Sequence, residues 1–251
     1  MKSTIVTSLL AALFLTSCVA PRTINHRGYS DYAPENTLAA YQQSKLHGYK
    51  YVETDISFTK DGVAVLLHDN SVDRTSNGKG QISDLHYNDI VRYDFGAWKD
   101  QRYKGERIPT LEQFLALCQQ LRLRPYIEIK QGITAQQARY IVEQVAKYKL
   151  TNRATYISFQ YNSLKHILTY RPDARVGYLV TKVTPEVIRL TLALRNGRNK
   201  VFIDASDYSL QAVTLCKANK IPLEVWTIDD EKTMKSLDKY IKGVTSNSHK
   251  R

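Results

Sequence analysis

The sequence predicts an α/β fold, a closed (β/α)8 barrel, and three observations carry that prediction. Beyond Arg22, strand-like and helix-like segments alternate, the pattern of parallel strands covered by helices. The β-rich runs number slightly above eight, with one pair read as a local extension, and that many in one mid-sized domain favours a closed barrel over an open doubly wound sheet. No GxGxxG opens the first unit, which weakens the dinucleotide-binding alternative.

The elements follow in order. A first strand is expected near Ile24, and further β-rich runs at 51–58, 63–67, 125–130, 154–159, 175–180, 200–203, 223–228 and around 243–245. Thr110 starts a helix: Pro109 precedes it, Gln113 completes a capping box, and Leu111, Phe114, Leu115 and Cys118 share a face. Thr134 with Gln137 repeats the device ahead of a stripe of Ala138, Ile141, Val142 and Val145. Thr184-Pro185 starts another helix, with Val187, Leu190 and Leu194 expected inward. The rhythm breaks at 70–108, a polar, Gly-bearing stretch containing Tyr93, Phe95 and Trp98. It is too long for an ordinary loop and is expected to be a small insertion at the barrel mouth.

The first residues are set apart from the fold. Lys2 gives a positive start, and 5–15 is an apolar run of signal-peptide length, too short to span a bilayer. Leu15-Thr16-Ser17-Cys18 resembles a bacterial lipobox. The expected organisation is a lipoprotein signal peptide at 1–17, a lipid-anchored linker at 18–25 and a barrel at 26–251. Cys18 would carry the lipid and tie an exported protein to a membrane. An ordinary signal peptide with an incidental cysteine is the competing reading.

Hydrophobic residues make up 43% of the 251, enough for a sizeable core, and the net charge is +12. Cleavage before Cys18 leaves 35 basic and 24 acidic residues, a net +11. A basic exported protein suits anionic surroundings such as headgroups or wall polyphosphates. No Lys/Arg block and no aromatic-basic interleaving points to nucleic acid. Cys118 and Cys216 are read as buried thiols, with a disulfide as the alternative.

In such a barrel the chemistry sits at the C-terminal ends of the strands. There the sequence places Glu53 and Asp55, two apart and so on one face, and Glu128 with Lys130, again two apart. His68 follows an apolar run, His26 and Arg27 lie in the opening loop, and Trp226 ends a strand. Inward carboxylates are costly unless a cation pairs with them. Two readings stand: a divalent metal, with all-oxygen ligands favouring Mg²⁺ or Ca²⁺, or acids facing outward onto covering helices. Arg27 and Lys130 suit a phosphate, and two histidines suit proton transfer near neutral pH.

These residues carry a family resemblance. "HRG", "PENT", "ETD", "TKDG", "HD" before "DRT", "GERIPTLE" and "IEIK", in that order, resemble the glycerophosphodiester phosphodiesterase family. "ISF" at 157–159 and "WTID" at 226–229 extend the match, while 164–222 adds little. The resemblance implies a TIM-type barrel with a small insertion after the third strand, which suits 70–108. It implies a metal on Glu53, Asp55 and Glu128, His26 and His68 as acid and base, and Arg27 and Lys130 on the phosphate. Trp226 is expected to wall the glycerol carbons, with Phe159 helping. Pro34 and Glu35 are expected to shape the start of the first helix, and Asn36 to cap or bridge nearby loops. The implied activity is metal-dependent hydrolysis of glycerophosphodiesters to glycerol 3-phosphate and an alcohol. The alternatives are a phospholipase D-like hydrolase of lysolipids or wall glycerol-phosphate polymers, and a non-catalytic phosphodiester-binding lipoprotein. The tail "GVTSNSHK" is assigned no role, and Asp204 is noted only as ending a strand near the mouth.

Overall fold

Strand β1 (Arg22–Asn25) pairs in parallel with β2 (Tyr51–Phe58) on one side and with β9 (Ile241–Ser246) on the other. That double pairing closes the sheet. A computed structural model describes residues 21–247. The leader at 1–17, residues 18–20 with Cys18 among them, and the last four residues lie outside the described residues. Arg22–Asn25, expected within the linker, is a strand of the barrel because it pairs on both sides.

From β2 the ring continues in parallel through β4 (Arg124–Ile129), β5 (Thr155–Ser158), β6 (Arg175–Val180), β7 (Lys200–Ala205) and β8 (Leu223–Val225) to β9, giving eight barrel strands. The extra β-rich run is β3 (Ala64–Leu66), which pairs antiparallel with the end of β2 outside the ring. The third strand in chain order is thus a local extension. The 70–108 segment follows it, between the second barrel strand and its helix.

The helices alternate with the strands: α1 (Leu38–Leu46), the single turn α2 (Tyr87–Ile90), α3 (Leu111–Leu121), α4 (Ala135–Lys147), α5 (Tyr161–Tyr170), α6 (Pro185–Ala193), α7 (Leu210–Ala218) and α8 (Glu231–Ser236). Both expected capping boxes form, on Thr110 with Gln113 and on Thr134 with Gln137. They satisfy first-turn N–H groups that would otherwise have no partner. Helix α6 departs from expectation. Its buried side chains are Ile188 and Thr191, with Leu194 beyond its end, while Val187 and Leu190 are half-buried. The stripe is rotated by one residue: Ile188 joins the buried cluster with Val180, Val183 and Ile203, and Val187 packs at its edge. Glu35 also departs: α1 is capped by Thr37, whose hydroxyl accepts from the Ala40 N–H and donates to the Pro34 carbonyl, so Glu35 lies before the helix and is free for other work.

The 70–108 insertion has its own small core of Val72, Ile82, Ile90, Phe95 and Ile108, packed on Val65 and Leu67 of the β2–β3 hairpin region. The barrel interior is filled by Ile24, Tyr126, Ile157, Leu179 and Phe202. Below them Glu224 is buried and holds Arg22 and Arg175 together with the Tyr126 hydroxyl, which donates to it at 3.0 Å. This polar plug closes the barrel at the start of the strands and leaves the other end open.

Candidate active site

The open end gathers the predicted residues. A cavity of about 240 Å³ is lined by His26, Arg27, Glu53, His68, Glu128, Lys130, Phe159 and Trp226, with Ile157, Leu179, Asp204, Thr227 and Thr245. Strand periodicity does most of this: Glu53 and Asp55 point inward together from β2, and Glu128 lies beside Asp55 in the β2–β4 register. Each of Glu53, Asp55 and Glu128 is buried, and one oxygen from each lies within 4.8 Å of the others.

Three buried carboxylates so close cannot all be charged without compensation. Burial, then the charges of Asp55 and Glu128, pushes Glu53 well above the usual carboxyl range. Burial and the Asp55 charge push Glu128 up to about 7. Asp55 moves the other way: burial alone would raise it, but Arg27 and Lys130 outweigh that. Lys130 Nζ lies 2.9 Å from Glu128 Oε1 and 3.6 Å from Asp55 Oδ1. Oε1 of Glu53 is buried with no hydrogen-bond partner. An orphaned carboxylate oxygen facing two others is an all-oxygen donor set, the chemistry that Mg²⁺ and Ca²⁺ accept. These three residues therefore fit a metal.

The loop after β1 is shaped for this cluster. Arg27 has φ +54°, an unusual value for a residue with a side chain. In that conformation its backbone N–H donates to Glu53 Oε2 at 2.9 Å, while Nε lies 3.3 Å from Asp55 Oδ2. Gly28, at φ +79°, has Ala40 so close that an added Cβ would sit 2.6 Å from the Ala40 Cβ. Asn36, at φ +57°, donates from Nδ2 to Asp55 Oδ2 at 2.8 Å. Its Oδ1 accepts from the Tyr41 and Thr54 hydroxyls and from the Asp55 N–H. The bridging role expected of Asn36 is thus aimed at a carboxylate of the cluster.

Each histidine has one nitrogen engaged. His26 Nδ1 lies 2.8 Å from Asn247 Oδ1, and the Asn247 amide is oriented by donating from Nδ2 to Asp229 Oδ2. The oxygen therefore faces His26, Nδ1 carries the hydrogen, and Nε2 is left for the cavity. Burial, then Arg27, holds His26 below the ordinary imidazole value. His68 Nδ1 lies 2.7 Å from Asp69 Oδ1, so it donates to a carboxylate and also leaves Nε2 available. Arg74, from the insertion, grips Asp69 at 2.6 and 3.1 Å and Glu35 at 2.8 Å. Glu35 in turn accepts from Arg27 Nη1 at 2.8 Å. One chain of charge-assisted bonds thus links the phosphate-binding candidate Arg27 to the acceptor behind His68.

The other wall is apolar. Phe159 and Trp226 meet edge to face, with centroids 5.6 Å apart, above Ile157 and Leu179. Trp226 is tied down by donating from Nε1 to the Asp204 carbonyl at 3.2 Å. Ser158 is buried, and its hydroxyl donates to the Ile129 carbonyl, a structural role.

Asp69, Arg74, Glu35, Asn247 and Asp204 were not among the predicted site residues. Asp69 and Arg74 stand inside the "HD" and "DRT" motifs, so a signal for them existed. Asn247 carried none, because only barrel closure brings residue 247 to residue 26. Asp204 lines the cavity with Oδ1 unpartnered, and burial, then Glu224 and Glu128, pushes it well above the usual range.

Fold and site together define a (β/α)8 barrel whose mouth carries an acidic centre, two histidines and two cations. Residues 26–248 match the glycerophosphoryl diester phosphodiesterase family, and the chain belongs to it. It is 31% identical over 218 residues, 86% of this chain and 89% of the relative, to a glycerophosphodiester phosphodiesterase of Caldanaerobacter subterraneus subsp. tengcongensis. Over 109 residues, 43% of this chain and 33% of the relative, it is 44% identical to glycerophosphodiester phosphodiesterase 1 of Homo sapiens. Among solved structures it resembles an Oleispira antarctica phosphodiesterase in complex with the product sn-glycerol-3-phosphate, with TM-score 0.78 and 27% identity over 91% of this chain and 93% of that one. A glycerophosphodiester phosphodiesterase of Parabacteroides distasonis gives TM-score 0.72 and 27% identity over 90% and 92%.

Proposed function

We propose that this protein hydrolyses glycerophosphodiesters to glycerol 3-phosphate and an alcohol, with Mg²⁺ or Ca²⁺ held by Glu53, Asp55 and Glu128. The observation that carries the reading is the convergence of those buried carboxylates, within 4.8 Å, on a cavity that also receives His26, His68, Arg27 and Lys130. Bound there, a divalent cation supplies neutralising charge to the phosphoryl oxygens. Arg27 and Lys130 orient the diester and add to that neutralisation. Nε2 of one histidine takes the proton of the glycerol hydroxyl next to the ester, and the freed oxygen attacks phosphorus. As the bond to the alcohol breaks, the other histidine gives its proton to the departing oxygen. The resulting five-membered cyclic phosphate is opened by water in a second pass that returns both protons. The intramolecular first step gains from proximity.

The cavity of about 240 Å³ is small for a ligand site and suits a short polar diester. The Phe159–Trp226 wall favours, as a second reading, a lysolipid whose apolar part leaves past those rings. Product analysis separates the possibilities. Glycerophosphocholine or glycerophosphoethanolamine with Mg²⁺ or Ca²⁺ is expected to give glycerol 3-phosphate and the free amino alcohol. Glycerol with a phosphorylated amino alcohol would contradict the proposal, and turnover of lysolipid alone would favour the second reading.

For cellular location, we propose export and anchoring by lipid on Cys18, supported by the lipobox-like 15–18 stretch after an apolar run. Mass spectrometry of the mature protein is expected to find an acylated N-terminal cysteine. An unmodified, soluble product would contradict this.

A further inference from the structure

A second cavity, of about 730 Å³, opens at the opposite end of the barrel. Its walls are residues that begin strands, among them Arg22 of β1, Arg124 of β4, Arg175 of β6 and Lys200 of β7. Its lining carries seven basic side chains and one carboxylate, Asp173. Asp173 is already neutralised by Arg171 at 2.7 Å, and Arg22 and Arg175 lean on the buried Glu224. That leaves Arg124, Arg153, Lys200 and Lys242, all exposed, and none is in an ion pair among those of the described residues. Arg195, also exposed, extends the patch along the same rim.

At the mouth the carboxylates Asp55, Glu128, Asp69 and Glu35 are met by Arg27, Lys130 and Arg74, whereas the floor bases Arg124, Arg153, Lys200 and Lys242 have no ion-pair partner among the described residues. The floor therefore carries positive charge without the compensation found at the mouth, and an anionic surface would attract the floor. Pro21 lines the basic cavity. The segment carrying the apolar 5–15 run and Cys18 thus joins the barrel at this face and not at the mouth.

We infer that the basic floor docks on the anionic headgroups of a membrane and holds the active-site mouth toward the aqueous side. Several exposed bases act together within a Debye length of the surface, each strengthening binding roughly fivefold. Substrate then arrives from solution, which accords with a cavity sized for a small diester. The inference does not rest on the lipid at Cys18; the orientation of the mouth toward substrate and the hydrolysis control rest on the phosphodiesterase reading, while the salt-sensitive binding to anionic vesicles does not.

The test uses the full unlipidated chain, made by cell-free synthesis, and vesicles of phosphatidylcholine with and without phosphatidylglycerol. The parent chain is expected to bind the anionic vesicles far better, and to lose that advantage in high salt. Arg153→Glu/Lys200→Glu/Lys242→Glu is expected to weaken anionic-vesicle binding by roughly a hundredfold or more, with hydrolysis of a soluble diester unchanged. That unchanged hydrolysis also shows that the variant is folded, and the salt response of the parent stands without any variant. Equal binding to both vesicle types, a variant that binds like the parent, or preference for soluble polyphosphate over vesicles would each overturn the inference.

Discussion

Asn247 places its Oδ1 2.8 Å from Nδ1 of His26, so the last described residue orients a histidine of the first loop. Asp229 holds Asn247 by two contacts, accepting from its backbone N–H at 2.8 Å and from Nδ2 at 2.7 Å. The arrangement fixes which His26 nitrogen faces the cavity. Asn247→Ala is expected to lower kcat by about tenfold to a hundredfold, with KM little changed, since a positioning loss near the chemistry costs on that scale. Steady-state kinetics beside a thermal melt checks it. A fall in melting temperature that accounts for the lost activity would assign Asn247 to structure alone.

Arg74 makes a pH-dependent contribution. Its hydrogen bonds hold Asp69 well below the usual carboxyl range, against a smaller opposing push from burial. A carboxyl depressed in the folded state stabilises above its unfolded value of about 4, and that stabilisation is lost as pH falls through the folded value. Arg74→Ala is therefore expected to cost about 1 kcal/mol at pH about 6, a modest sum because the pair is part-exposed, and clearly less at pH about 2, where part of the contribution has already been lost. Urea unfolding at both values checks it. An equal loss at both would contradict the assignment.

Gly177 sits inside the barrel where an added Cβ would lie 2.4 Å from the Phe202 ring and 2.9 Å from Ile157 Cγ2. Gly177→Ala is expected to destabilise by about 1–3 kcal/mol through overpacking. Phe202→Leu in the same chain should return part of that loss by making room. Chemical denaturation of the single and double variants measures both.

Cys118 and Cys216 are free and buried. Burial pushes the Cys118 thiol well above its usual value and, with Asp207 adding to it, pushes Cys216 up to about 12. Iodoacetamide is expected to spare both in the native protein and to label both in urea. Labelling of neither in urea would indicate a disulfide instead.

How much of this was legible in the sequence follows from the range of the interactions. Strand parity is local, so spacing alone could put Glu53 with Asp55, and Glu128 with Lys130, on one face each, while the choice between inward and outward faces came with the family resemblance. Capping boxes are local too, and Thr110 and Thr134 start their helices as read. The stripe of α6 differs by one residue, because Val187 and Ile188 are both apolar and only tertiary packing chooses which of them is fully buried. The supports of the two histidines were the least legible. Asn247 meets His26 only because β9 returns to β1, and Arg74 reaches Glu35 only because the insertion folds back over the mouth. The basic floor was visible as net charge but not as a face, since its members begin different strands.

The measurement that tests the central claim most directly is glycerol 3-phosphate release from glycerophosphocholine after EDTA treatment and metal return, run beside His26→Ala and Glu53→Ala. The account predicts that EDTA abolishes release and that Mg²⁺ or Ca²⁺ restores it. It also predicts that His26→Ala lowers kcat by about a hundredfold or more while still binding metal, and that Glu53→Ala loses metal affinity together with activity. Release that persists in EDTA, or a Glu53→Ala protein as active as the parent, would contradict it.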